Sequence, residues 1–415
     1  MAGLRWGRAL HLLVWAALTA VQGWLLTLDV GIELKVAGLV GVQLGKALAA
    51  VPRVRDLARP LDDAIYALVP LLNVALFFQL LRPAPPPARW ARRMEVVVSQ
   101  PLAVGSYAKA LGLMASTWKP TLAAVVVVSV GMQLGEWAFL DAALRALPRL
   151  GSALGSLSEG LLVAIVALGL YTLIQLKNRH KASHLSWLPS LGLVPALLVY
   201  GSLRVVALED ASSRLFGLIF LQGAFRMLVA PLLAALVALL VVGGLAALRD
   251  GADPAVALSR IRGRYARVAA PLGLRALLVE LGLQVIVPGV WFAVSYAFAD
   301  ILAVLHPDRP TLRSSGDLVR GARSSVFKLL LLWVFANVGT SLGIVAVAVG
   351  AASAPAALFD PTQLPFGVVF VSAWVSGLLY CWSLTALFVF YEAREARVAF
   401  IERAQAQPIA PAQGG

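Results

Sequence analysis

Few side chains in this sequence are placed to do chemistry, and the ones that stand out are acidic. Glu280 falls near the middle of an apolar run, Ala269–Val287. An ionised carboxylate at that depth in a bilayer costs several kcal/mol unless it is paired, protonated or set against a cavity, so it reads first as an ion or proton site. Arg275 lies five residues earlier, about 140° around a helix, and does not stack on it as an i,i+4 pair. Arg275 sits near the inner surface and can snorkel, which leaves Glu280 needing a partner from another helix or acting as a protonated packing group. Asp62 and Asp63 stand together at the outer mouth of a second run. Paired carboxylates after a long outer loop fit metal binding or base catalysis, as in membrane glycosyltransferases that use lipid-linked sugars. Such an enzyme would bring the pair against an outer basic residue such as Arg204 or Arg226. Ordinary carboxylates at a helix start, complementing its dipole, fit as well. Asp300, about one turn from the cytoplasmic end of its run, fits a structural role at the headgroups or against Arg309 or Arg320.

Other chemistry is thin. His180 and His184 share a helical face, but Lys177, Arg179 and Lys181 beside them repel a cation, and two histidines do not fix a metal without a third ligand. The single cysteine, Cys381, lies in an apolar run and permits no intramolecular disulfide. No phosphate-binding loop, Ser-His-Asp order or Cys-x-x-Cys is present. Neither a metal nor an organic cofactor is expected.

The elements that carry these residues follow from composition. Of 415 residues, 60% are hydrophobic and 13% charged, too few charges to cover a water-soluble surface. The net charge of +14 comes from 35 Lys and Arg against 21 Asp and Glu; the basic residues fall between apolar runs, which points to positive-inside sorting and away from nucleic acid. The expected fold is an all-α, polytopic transmembrane helical bundle of about ten spans with both termini cytoplasmic, in a bacterial inner membrane. The spans are Ala9–Leu28, Ala64–Leu81, Thr121–Ala138, Gly160–Leu176, Trp187–Leu208, Met227–Leu248, Ala269–Val287, Gly289–Leu305, Leu329–Gly350 and Phe366–Tyr391. The first, behind Arg5 and Arg8, reads as a retained signal anchor. Lys46 and Gln43 within Val36–Pro52 make that stretch an amphipathic segment lying on the outer interface. Basic flanks on both sides of Ala269–Leu305 require a hairpin there, turning at Pro288-Gly289, in place of one kinked helix.

Residues 1–403 form a single membrane domain, and 404–415 a small, polar tail without order. The proline cluster in Arg82–Arg93 (RPAPPPARWARR) makes a stiff cytoplasmic linker. Pro101, Pro254 and Pro310 are each followed five residues later by Ser106, Ser259 and Ser315, which marks a repeat of surface helix plus hairpin at 101–176, 254–305 and 310–391. Glycine pairs at i,i+4 occur at Gly41/Gly45, Gly131/Gly135, Gly151/Gly155 and Gly339/Gly343; inside spans they permit close helix packing. The cytoplasmic segments are basic and partly amphipathic. Ile261, Tyr265 and Val268 form an apolar stripe beside Arg260, Arg264 and Arg267. A helix lying flat there, with the stripe in the acyl boundary and the arginines at phosphate level, would contact anionic headgroups, as would Arg320.

Three stretches near the C-terminal end carry a resemblance. Val294–Asp300 (VSYAFAD) ends one run, Leu312–Gly321 (LRSSGDLVRG) precedes another, and Phe388–Glu395 (FVFYEARE) closes the last. Together they resemble the glycerophosphodiester phosphodiesterase membrane-domain-like proteins, a broad group of bacterial multi-pass proteins, over the last third of the chain. Asp300, Ser315, Leu318–Gly321 and Tyr391–Arg394 are the matching positions. The resemblance implies a multi-pass membrane fold. It implies no phosphodiesterase activity, since the soluble barrel is missing, and about ten spans exceed the group's usual six or so. The function expected is a non-enzymatic interaction or envelope-homeostasis component, with membrane lipids, and a protein partner or a second copy, as its contacts. A small-solute or lipid transporter using Glu280 is the alternative, and a glycosyltransferase using Asp62 and Asp63 the third.

Overall fold

The computed structural model describes residues 8–28, 32–82, 103–150, 153–177, 196, 200, 221–223, 225–227, 229–259, 261–283, 287–350 and 364–406. Every regular element among them is helical. In order they are α1 (Arg8–Thr27), α2 (Ile32–Asp56), a 3-10 helix (Leu61–Leu68), α3 (Pro70–Leu80) and α4 (Ala103–Ser116). Then α5 (Trp118–Val126) runs through a π-helical stretch (Val127–Leu134) into α6 (Gly135–Leu150), followed by α7 (Ala153–Lys177) and α8 (Ala230–Arg249). After a one-turn helix (Val256–Ser259) come α9 (Ile261–Leu283), α10 (Val287–Ser295), α11 (Ala299–Leu305), α12 (Thr311–Val319), α13 (Arg323–Val349) and α14 (Phe366–Ala406).

Five helical stretches among the described residues are long and apolar enough to cross a bilayer: Leu10–Thr27, Trp118–Ala143, α8, α13 and Phe366–Ala399. The outer faces agree, since Val163, Val166, Leu170 and Ile174 of α7 are each more than half exposed, a pattern water does not tolerate over a whole helix face. The chain is an integral membrane protein. It divides into two compact units, one of residues 1–112, 320–335 and 385–415, the other of 113–319 and 336–384.

In the first unit α2 turns back along α1. Gly38 and Gly45, one heptad apart on one face, lie against Leu25 and Leu18; an added Cβ would come within 2.9 and 3.3 Å of those side chains. Gly41 faces open space, so the Gly41/Gly45 spacing is not what packs. Val36–Pro52 is therefore the body of a helix that pairs with α1, not a segment lying on the outer interface. Its polar residues turn inward: Lys46 Nζ donates to Gln22 Oε1 at 2.7 Å, and Gln43 Oε1 accepts from Asn73 Nδ2 at 2.7 Å. The expected span Ala64–Leu81 is also corrected. Val69 precedes a proline and is extended (φ −98°, ψ 121°), which separates the 3-10 helix from α3. The 11 residues of α3 reach about 16 Å, half a bilayer core. Arg53 fixes the end of α3 by donating from Nε to the Leu80 carbonyl (2.9 Å) and from Nη2 to that of Arg82 (2.6 Å). His11, fully buried, has its ring 5.1 Å from Trp15 and 6.4 Å from Phe77. Residues 53–82 thus sit beside the beginning of α1.

In the second unit α8 is the core helix, apolar on every side, packed by α5, the π-helical stretch, α9 and α11. Close approach needs Gly244, where a Cβ would lie 2.8 Å from the Pro120 ring, and Gly377, where it would lie 2.5 Å from Ser129 Oγ. Helix α9 packs along both α10 and α11, so Ala269–Leu305 is a hairpin. The bend between α10 and α11 is closed by Ser315, whose hydroxyl donates to the Ser295 carbonyl (3.1 Å) and accepts the Phe298 N–H (3.2 Å). Ser259, by contrast, is exposed and bonds its own turn at Val256, while Ser106 of the first unit is buried. The flat helix expected over 260–268 does not form as such. Helix α9 runs unbroken from Ile261 through Pro271, Val268 is 1% exposed, and Tyr265 Oη donates to the Leu232 carbonyl at 2.9 Å. Of that stripe Val268 is buried in protein, while Ile261 and Tyr265 are half-buried. Helix α12 is the amphipathic one, with Thr311, Ser315 and Val319 buried and Arg313 and Asp317 exposed.

Candidate functional site

The acidic residues singled out by sequence are mostly buried in ion pairs. Asp62 and Asp63 are each 4% exposed. Asp63 Oδ1 lies 2.5 Å from Lys328 Nζ and its Oδ2 3.0 Å from Arg59 Nε. Asp62 Oδ2 accepts the Ala103 N–H at 2.6 Å. Burial pushes the Asp62 carboxyl above the ordinary carboxylate range, against the downward pull of the Ala103 N–H and Lys328; the Asp63 charge raises it further. Lys328 is itself 1% exposed and stacks 5.5 Å over the Tyr66 ring, while Tyr66 Oη meets Ser324 Oγ at 2.7 Å. A glycosyltransferase needs carboxylates open to substrate, and these two are closed into a packed ion cluster. Asp63 binds Lys328, which the expected sidedness puts inside while it puts Asp63 outside, so those two expectations do not hold together.

Asp300 is 3% exposed and pairs through Oδ2 with Arg275 Nη1, so Arg275 does not snorkel and Asp300 does not use Arg309 or Arg320. Its Oδ1 is buried with no hydrogen-bond partner among the described residues. Glu280 lies on α9, but its side chain falls outside the described residues, as do Arg260, His180, His184 and Arg204. Arg264 and Arg267 are exposed on the first turns of α9. Arg320 is exposed, and its carbonyl accepts from Arg394 Nη2 at 2.7 Å beside Gly321, whose φ of +83° ends the preceding helix. Among the described residues no three His, Cys, Asp or Glu side chains converge as a metal site.

The arrangement with most chemistry was not among the sequence candidates. A cavity of about 450 Å³ opens in the second unit between α6, the helical residues 221–223 and 225–227, α13 and α14. Glu136, in the first turn of α6, accepts from Gln222 Nε2, and from Arg226 through Nε and Nη2, both at 3.2 Å. Gln222 and Arg226 are one helical turn apart and so reach the same carboxylate. Across the cavity Ser376 Oγ meets Asn337 Oδ1 at 3.1 Å, and Gln133, Ser341 and Ser372 add further polar groups. Trp137 forms part of the wall, and its indole N–H is buried with no partner among the described residues.

The π-helical stretch before α6 positions these groups. Its wider turn shifts every later side chain by roughly 100° relative to an uninterrupted α-helix. Ser129 pins it by donating to the Ala373 carbonyl at 3.1 Å, and Gly377 gives the room. The cavity thus offers amides, hydroxyls and one unmet N–H beside an ion pair whose charges cancel. A sequence signal was present: Gln133 and Glu136, Gln222 and Arg226, Asn337 and Ser341, and Ser372 and Ser376 are polar pairs at i,i+3 or i,i+4, the spacing that puts both on one helix face.

No protein-family model, curated protein or solved structure matches the sequence.

Proposed function

We propose that this is a non-enzymatic, multi-pass protein of a bacterial cytoplasmic membrane that binds and carries a small, uncharged, polar solute. The observation that carries the reading is the cavity around Glu136: a polar, open site of about 450 Å³ whose walls include the apolar spans α13 and α14. Polar groups at that depth are costly and mark solute pathways. The Glu136–Arg226 pair leaves little net charge for a ligand, while amides and hydroxyls from three sides suit one with several hydroxyl or amide groups. Glu136 replaces Glu280 as the residue on which transport would turn. The cytoplasmic arginines, Arg260, Arg264, Arg267 and Arg320, remain proposed contacts for anionic headgroups, and the resemblance to the phosphodiesterase membrane-domain-like group remains a proposal on the residues that carry it.

About ten spans with both termini inside is part of the reading, with α2 in place of 64–81 as the second. That exchange keeps the sidedness of everything downstream and moves Arg53, Arg55 and Arg59 to the inner, basic side, which favours it. The test of solute binding uses purified protein in lipid nanodiscs against a panel of sugars, polyols and small amides. At least one compound should raise the melting temperature of the wild type, and the filled-cavity variant Ser341→Leu/Ser376→Leu should lose the shift. A panel without effect, or an unchanged shift in the filled variant, refutes the reading.

A further inference from the structure

A second cavity, of about 550 Å³, lies wholly within the first unit between α1, α2 and α3. Its polar floor is Lys46, Gln22, Gln43, Asn73 and Thr19. Lys46 is 4% exposed, and among the described residues its ammonium has a single hydrogen bond, to the neutral Gln22. No carboxylate lies within ion-pair distance of it among the described residues, in contrast to Lys328, which holds Asp63. A buried ammonium without a counter-charge is costly; it is relieved by giving up its proton or by gaining an anion, and the groups around Lys46 favour the second. The neighbouring groups suit that anion. Gln22 and Gln43 accept from Lys46 and Asn73 through their carbonyl oxygens, which leaves both side-chain NH2 groups uncommitted, and Lys46 keeps two further N–H groups.

The rest of the cavity is apolar. Trp15 and Phe77 form its inner wall, and Phe78 and Val74, 65% and 55% exposed, form the rim on the outer face of α3. The cavity thus joins a donor-rich, singly positive floor to an apolar side open toward lipid. Because α1 is a spanning helix and Gln22 lies within its apolar window, a molecule dissolved in the bilayer can enter sideways.

We infer that this cavity binds an amphipathic anion: one carboxylate or phosphate seated on Lys46, Gln22 and Gln43, with an alkyl chain along Phe77 and Phe78. The site is separate from the solute cavity around Glu136 and stands without it. The headgroup chemistry has two sources, a free fatty carboxylate or an anionic phospholipid of the surrounding membrane.

The experiment measures melting temperature and binding in neutral nanodiscs for the wild type, Lys46→Met and Phe78→Ala. The probes are laurate, dodecanol, phosphatidylglycerol doped into the disc, and inorganic phosphate. Laurate or phosphatidylglycerol should stabilise the wild type, with binding at least tenfold weaker in Lys46→Met; whichever of the two binds names the source. Dodecanol, with the chain but no charge, should bind at least tenfold more weakly than laurate. The rim variant Phe78→Ala, at an exposed position that leaves the fold intact, should weaken laurate several-fold and serves if Lys46→Met does not fold. The inference fails if Lys46→Met binds laurate as well as the wild type, if dodecanol matches laurate, if Phe78→Ala leaves laurate affinity unchanged, or if inorganic phosphate alone binds.

Discussion

The ion cluster around Asp63 behaves as a unit, which makes its single substitutions harsher than its double one. Lys328→Met leaves Asp63 buried with Arg59 alone, and Asp63→Asn leaves Lys328 buried without its bonded carboxylate, facing only the nearby Asp62. Breaking a buried pair from one side costs roughly 3–5 kcal/mol, whereas replacing both partners by apolar groups is often neutral. Each single variant should therefore melt well below the wild type, and Asp63→Leu/Lys328→Met should recover most of the loss in a thermal unfolding series. Asp62 adds a pH dependence of known sign. Its folded-state pKa is raised, mainly by burial. Its contribution to stability is then complete below the unfolded value of about 3.9 and is lost as pH rises through the higher folded value. Over that window Asp62→Asn should gain stability relative to the wild type, and the gap should stay constant at still higher pH. A gap that does not change across the window removes the account of Asp62 as a carboxyl raised above the ordinary range by burial.

Helices in this molecule meet where glycine lets them, and the meeting points are specific. Gly377→Ala would put a methyl 2.5 Å from Ser129 Oγ and 3.1 Å from the Val125 carbonyl oxygen, against backbone that cannot yield. Overpacking of that kind costs about 1–3 kcal/mol. Gly339→Ala and Gly343→Ala meet nothing within 4 Å and should be silent in the same melting assay. Sequence spacing pointed to Gly339 and Gly343 and passed over Gly377, because a glycine pattern does not say which face has a neighbour. Long apolar runs were legible, as hydrophobic length is imposed by the bilayer alone. Helix α2 was not, since Lys46 and Gln43 make it look half polar; both face the cavity beside α1 and α3. Run 64–81 failed for the opposite reason: its composition is apolar enough, and only the Val69–Pro70 break stops it being one helix.

Across the whole chain, the exchange of α2 for 64–81 has a direct readout. In a Cys381→Ser background, single cysteines at Arg55, Asp250 and Arg313 should all label from the cytoplasmic side. Asp250 and Arg313 are reference points that both schemes place inside; labelling of position 55 from the opposite side would restore the outer loop read from sequence. The variants are usable because Cys381 is buried and Arg55, Asp250 and Arg313 are exposed. The solute cavity escaped a reading made along the chain because its groups come from four places. Gln222 and Arg226 lie 86 and 90 residues from Glu136 and outside the apolar core of any span. Glu136, near the end of Thr121–Ala138, has nothing in its neighbouring sequence to single it out. Only folding gives it partners.

The bond between Arg275 and Asp300 reaches beyond the finished structure to how it is made. A lone charge of either kind is disfavoured by about 2.5–3.5 kcal/mol at the centre of an inserting helix and by less toward its ends. Arg275 leaves the ribosome 25 residues before its partner, a delay of about 1–5 s at ordinary rates of synthesis. In that interval the Arg275 guanidinium has no partner carboxylate from α11. Only when α11 has been made can Asp300 cancel that charge, so the two residues are tolerated as a pair and not singly.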